Sequence, residues 1–268
     1  MLRAALAASS LVAARAQPTA ALTFDPDTPL NTVLPTYLST NIDSGSLAQL
    51  FDFTDPVLAT LTANLVRAAP TQLRIGGGAA DDLAFTGAGG ARGACNVSAG
   101  VNVCVDTAYV EEILAFAAAT GVQLVWDFNA ALRDAGNAWN TSNARAMLAA
   151  VAASPNAAAV AGWQLGNEVE DWYKRSPPNN LSGTALAADY AALRGLLAAQ
   201  PTLAQSVLGP DACCEERRAL LADFSTVAAR ATPPLVSAVT VHAYPIPRGP
   251  GDTVRARAAP RRAPQPHS

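Results

Sequence analysis

Histidine is nearly absent from this chain: His242 and His267 are the only two in 268 residues. No Cys/His constellation therefore has zinc-ligand spacing, and no metal site is expected. Charge is sparse as well. Only 15% of residues are charged while 50% are hydrophobic, a balance that supports a sizeable core and excludes wholesale disorder. Long apolar runs are missing too. The richest stretch, 144–163, is interrupted by Arg145, Pro155 and Asn156, short of the roughly 18–20 uninterrupted residues that span a bilayer. No stable membrane anchor is expected. Glutamate, finally, does not occur after Glu216.

The N-terminus is basic and then apolar. Met1-Leu2-Arg3 leads into alanine-rich sequence, and Ala14-Arg15-Ala16 offers a small-x-small cleavage site, which predicts a secretory signal over 1–16. Three sequons, at Asn96, Asn140 and Asn180, agree with export to the extracellular space or a vacuolar-lysosomal lumen. Cys95 and Cys104 flank a short segment with Gly100 and suit a disulfide-closed loop. A bridge between the adjacent Cys213 and Cys214 would be strained, so free or reducible thiols are expected there. From Arg248 the chain carries five arginines against one acid, Asp252, among proline and alanine, the composition of a disordered tail over 248–268. Setting aside that tail and the signal leaves 11 basic and 20 acidic residues, a formal −9. An acidic body repels polyanions, so no nucleic acid partner is expected.

Strand-like and helix-like segments alternate through the body, the pattern of parallel α/β architecture. Strands are expected at 33–42, 72–75, 122–128, 160–165, 206–208 and 236–241. Asp55-Pro56 opens a helix that Pro70 stops, and Asp106 opens another that Gly121 ends. Thr141 or Ser142 caps a third helix, 184–200 forms a fourth, and Glu215-Glu216 and Arg230 suit the two ends of a fifth. In such an array the site lies at the carboxyl ends of the strands. Polar residues collect there: Arg74, Asp127 and Asn129, Asn167 and Glu168, Asp211, then His242 and Tyr244. Glu168 follows the near-neutral run Gly162-Trp163-Gln164-Leu165-Gly166, where partial burial favours a general acid. His242 is read either as part of this site or as a core-facing partner of a backbone carbonyl. Trp126 and Trp163 read as core, whereas Trp172, in a polar loop beyond Glu168, suits stacking on a flat ligand face.

Trp163-Gln164-Leu165-Gly166-Asn167-Glu168 resembles the strand-four signature of clan A glycoside hydrolases, in which Asn precedes the acid/base Glu. Further matches follow in chain order: Pro35 through Asp43, Leu73-Arg74-Ile75-Gly76-Gly77 with Asp81 and Phe85, Asp127-Phe128-Asn129-Ala130-Ala131-Leu132-Arg133, Gly209-Pro210-Asp211, and Val239 through Tyr244. Together they resemble glycoside hydrolase family 79, the heparanase and β-glucuronidase family of retaining enzymes. The resemblance implies a (β/α)₈ TIM barrel, here incomplete, with about six βα units in 17–247 and without the last strands or the C-terminal β-sandwich. It implies Glu168 as acid/base and Asn167 as the donor to a sugar 2-hydroxyl. Arg74 and Tyr244 would support the nucleophile, Asp81 and Asn129 would contact substrate, and His242 and Trp172 complete the binding set. No cofactor is implied: Gly76-Gly77-Gly78 lacks the third glycine of a dinucleotide loop, Asp81 standing there. The partner would be a carbohydrate, a β-linked uronic acid or related glycan. The family's nucleophile is a Glu at the end of strand seven, and nothing after Glu216 supplies it; Asp252 has no strand to hold it. The chain as given is therefore expected to be a truncated or inactive form of a retaining glycosidase. The alternative is a nonhydrolytic carbohydrate-binding remnant or pseudoenzyme.

Overall fold

A computed structural model describes residues 35–98, 100–170, 181–213 and 218–243. The expected signal and tail, Cys214, Trp172, Tyr244, Asp252 and the Asn180 sequon lie outside the described residues. The first strand, β1 (Thr40–Asp43), is shorter than expected because Pro35–Tyr37 forms a 3₁₀ turn instead. A one-turn helix α1 (Gly45–Ala48) follows, then α2 (Pro56–Ala68), whose Asp55 cap accepts from the Val57 N–H at 2.7 Å with Pro56 at the first helical position. β2 (Gln72–Gly76) leads to β3 (Leu83–Gly87), β4 (Gly93–Ser98) and β5 (Val101–Asp106). These last three make a small separate sheet in the order β3-β5-β4. Cys95 and Cys104 are bridged across it, as the spacing suggested.

Helix α3 (Thr107–Thr120) runs between its Asp106 cap and Gly121, which adopts φ 78°. After it come β6 (Gln123–Phe128), α4 (Ser142–Ala153), β7 (Val160–Leu165), α5 (Gly183–Ala198), β8 (Leu208–Ala212), α6 (Arg218–Arg230) and β9 (Ala238–Val241). The main sheet is parallel in the order β1-β2-β6-β7, and β8 pairs with β9 in parallel. Trp163 joins the two sheets through a parallel bridge to Val207 and an N–H bond of 3.1 Å to the Ser206 carbonyl. Six parallel strands thus neighbour one another in chain order, each joined to the next by a helix-bearing crossover.

Strand alternation sets the two faces of this array. Leu124, Trp126 and Phe128 of β6, with Trp163 and Leu165 of β7, pack into the main apolar cluster with Ile113, Leu114, Met147, Leu148, Leu193 and Leu197 of the helices. The ring planes of Phe128 and Trp163 stack at 5.4 Å. Burying each such side chain contributes roughly 1.5–3 kcal/mol. The intervening residues, Asp127 and Gln164, necessarily turn to the opposite face, and there the site is built.

Candidate active site

Arg74, third residue of β2, is the hub. Its Nε donates to Gln164 Oε1 at 2.6 Å and its Nη1 to Asn41 Oδ1 at 3.0 Å. Nη2 donates to Asp127 Oδ2 at 2.8 Å and Asn167 Oδ1 at 3.1 Å, and also pairs with Asp211. Register explains the convergence: Asn41 lies opposite Arg74, and Asp127 opposite Gln164. Gln164 also donates through Nε2 to Asp211 Oδ1 at 2.8 Å. Burial pushes the Asp127 carboxyl well above the usual carboxylate range; Arg74 opposes the rise, while Asp211 and Asp81 add to it. Burial alone would raise Asp211 too, but the nearby His242 ring and the Arg74 charge outweigh it and hold this carboxyl low.

Glu168 and His242 meet beside this hub. The His242 Nδ1 lies 2.7 Å from Glu168 Oε1, a full hydrogen bond, and its Nε2 lies 3.6 Å from Asp211 Oδ2, an ionic distance. Asp211 holds the imidazole above its ordinary 6.5, against the cost of burial and with help from Glu168. His242, read either as part of the site or as a partner of a backbone carbonyl, pairs here with Glu168. Glu168 is part-buried, as its neighbours suggested. Its backbone is in the left-handed region at φ 49°, and so is that of Asp211 at φ 56°. Such conformations cost non-glycine residues on the order of 1–3 kcal/mol each and persist where surroundings over-determine them. The two residues hold each other: the Glu168 N–H donates to the Asp211 carbonyl at 3.1 Å, while the Asp211 N–H donates to Thr240 Oγ1 at 3.0 Å.

Asp81 and Asn129, expected against substrate, are buried and bonded to main chain. Asp81 accepts from the N–H groups of Ala130 and Asn167, each at 3.1 Å, and Asn129 bridges Leu83 and Ala131. Both therefore tie together the segments that follow the strands. Asn167 accepts from Arg74 through Oδ1 and keeps its Nδ2 donor for another acceptor. Trp126 and Trp163 are core, as expected, and Trp139 is buried too, its indole N–H bonded to the Asn129 carbonyl at 2.9 Å. Cys213 is disulfide-bonded, so of the expected free or reducible thiols the free one is not what the structure has. Its N–H donates to Glu170, two residues beyond Glu168. The sequence reading missed Gln164 and Asn41 as acceptors for Arg74, although the alternation Trp163-Gln164-Leu165 carries the signal. Among the described residues, no group of acids, histidines and cysteines is arranged to hold a metal ion.

The class is a mixed α/β protein with a parallel sheet and a polar cluster at its strand ends. Comparison with known proteins is consistent with a TIM-barrel-like arrangement. A 4-O-α-L-rhamnosyl-β-D-glucuronidase from Fusarium oxysporum 12S, solved with Rha-GlcA, has a TM-score of 0.50 and 14% identity over 77% of this chain and 44% of that one. Heparanase from Gallus gallus is 35% identical over 101 residues, which are 37% of this chain and 18% of the heparanase. The chain thus spans less than half the length of either protein. No family model matches it.

Proposed function

We propose that this site is the acid/base half of a retaining glycoside hydrolase of the heparanase and β-glucuronidase type, family 79, directed at a β-linked uronic acid. The likeness to a heparanase and a glucuronidase supports a glycoside hydrolase-type function. The observation that carries the reading is Glu168 itself: a part-buried carboxyl at a parallel-strand end, beside the Asn167 amide and bonded to His242. In this reading Glu168 protonates the leaving oxygen and Asn167 Nδ2 donates to the sugar 2-hydroxyl. Tyr244 and Trp172 would line the sugar, and Arg74 would order the carboxylates around it. Asp81 and Asn129 hold the loops in place. A retaining enzyme needs a second carboxylate about 5–5.5 Å from the first. The given sequence has no glutamate after Glu216, and in this reading its six βα units are part of an eight-unit barrel.

The Cys95–Cys104 bridge and the exposed sequons Asn96 and Asn140 support the reading of a secreted or lysosomal glycoprotein. Among the described residues no helix is long and apolar enough to cross a membrane.

The chain alone is expected to turn over aryl β-glucuronides negligibly. Azide supplied in the assay tests the acid/base half. Its nitrogen attacks the anomeric carbon, the glycosidic C–O bond breaks, and Glu168 protonates the departing phenoxide, giving the α-azide. Product that vanishes in Glu168→Gln supports the reading. Uronic-acid oligosaccharide binding by calorimetry without azide product would favour the nonhydrolytic binding remnant, which the missing carboxylate also fits. Neither product nor binding would sink both readings.

A further inference from the structure

We propose that His242 is a positioning residue that shares a proton with Glu168, with Asp211 as the carboxylate that orients its ring. The inference rests on reading Glu168 as the acid/base and gives that residue a proton partner. Among the described residues, charged groups acting on the imidazole come from three elements: Glu168 from the segment after β7, Asp211 from β8 and Arg74 from β2. The two acids lie on opposite ring nitrogens, at 2.7 Å from Nδ1 and 3.6 Å from Nε2. A doubly protonated ring presents an N–H to Glu168 and positive charge to Asp211 at once, whereas a neutral imidazole has a single N–H. Arg74 opposes this charge but is engaged by Asp211, Asp127 and three neutral acceptors.

Main-chain bonds fix the ring in place. The His242 N–H donates to the Ala212 carbonyl at 2.7 Å, and Glu168 donates its own N–H to the Asp211 carbonyl. The three residues are therefore linked through main chain, and Glu168 and Asp211 adopt left-handed backbone where they bring both carboxyl groups to one ring.

The proton step balances without any further reagent. When Glu168 gives its proton to a leaving oxygen, the His242 Nδ1–H bond can break and an O–H bond form on Glu168 Oε1. The ring is left neutral with Nε2–H facing Asp211. Its side chain is 23% exposed, so water restores the lost proton. While protonated, His242 thus offers Glu168 a proton source beside the solvent that reaches the acid's own side chain, which is 21% exposed.

Because the chain has two histidines, imidazole ¹⁵N NMR of the full-length protein from pH 4 to 9 tests this directly, with His242→Asn assigning the signals. One ring should titrate above 6.5. Its proton affinity should fall about tenfold in Glu168→Gln and again in Asp211→Asn, with amide spectra confirming that each variant is folded. Titration unmoved in both variants overturns the proposal. His242→Asn keeps a neutral donor toward Glu168 but no relayed proton, so the Glu168-dependent azide reaction should persist at low pH, where solvent supplies the proton, and decline at lower pH than in wild type. An unchanged pH profile would overturn the proton-sharing role. If wild type shows the NMR coupling and no azide chemistry, the glycosidase reading has failed while the pairing stands.

Discussion

Arg74 donates to side chains from β1, β6, β7, the segment after β7, and β8. Gly76, two residues on, lies so close that an added Cβ would meet the guanidinium carbon at 2.5 Å. A side chain at that position would have to displace the guanidinium from its present place. Replacing Arg74 by Met leaves Asp127 and Asp211 buried without their cation, and breaking a buried pair this way costs about 3–5 kcal/mol. Urea unfolding of Arg74→Met should show that loss; a loss under about 1 kcal/mol would mean the pair behaves like an exposed one. His242 gives a pH signature of opposite sense at its two ends. Its raised value makes its pairing fully stabilising below 6.5 and lost as pH climbs through the raised value. Asp211, held low, keeps its contribution above the usual carboxylate range and loses it as pH falls through the lowered value. The melting-temperature gap between wild type and His242→Asn should therefore be widest at about pH 5–6 and narrow above and below.

Among elements, the β3-β5-β4 sheet depends most on a covalent link. The Cys95–Cys104 bridge closes a separation of 9 residues, and Cys104 lies buried in a small cluster with Ala84 and Val101, apart from the main core. Changing both cysteines to alanine should cost about 2–3 kcal/mol by loop entropy, read as a lower thermal midpoint that added reductant does not lower to the same extent. This sheet was not legible in the sequence, because β4 is exposed over most of its length and carries no alternation to read. Helix α3 was, since both of its end signals are local, the Asp106 side chain accepting from Tyr109 N–H and Gly121 turning the chain. β8 was read as ending before Gly209-Pro210-Asp211 but runs through them. Its pairing with β9 slips between Gly209 and Ala212, so Pro210 is spared a ladder bond it could not donate. Glu168, Asn167 and Arg74 were legible as strand-end residues. The parts played by Asn41 and Gln164 depend on which face each strand turns to a distant neighbour, and single segments do not state that.

At the scale of the whole molecule, exposed large apolar side chains among the described residues include two on the outermost parallel strand β9 and three on helix α2. Val239 and Val241 of β9 are 58% and 59% exposed, and Val57, Leu61 and Leu65 are exposed on α2. An exposed, apolar edge strand invites pairing with another chain. The isolated chain should self-associate with rising concentration, and Val239→Lys with Val241→Thr should suppress this in light scattering while leaving circular dichroism unchanged. Equal scattering from both proteins would place the sticky surface elsewhere. The Arg74 hub has a kinetic consequence at the same scale. Its acceptors lie 33, 53, 90, 93 and 137 residues away along the chain, so it cannot be satisfied by any local piece of structure. Contacts of such separation form late and slowly. The polar cluster works as a completion check on folding: a nascent chain that has not yet delivered β8 carries an incompletely paired arginine in its sheet, and the site exists only once the whole parallel array has assembled.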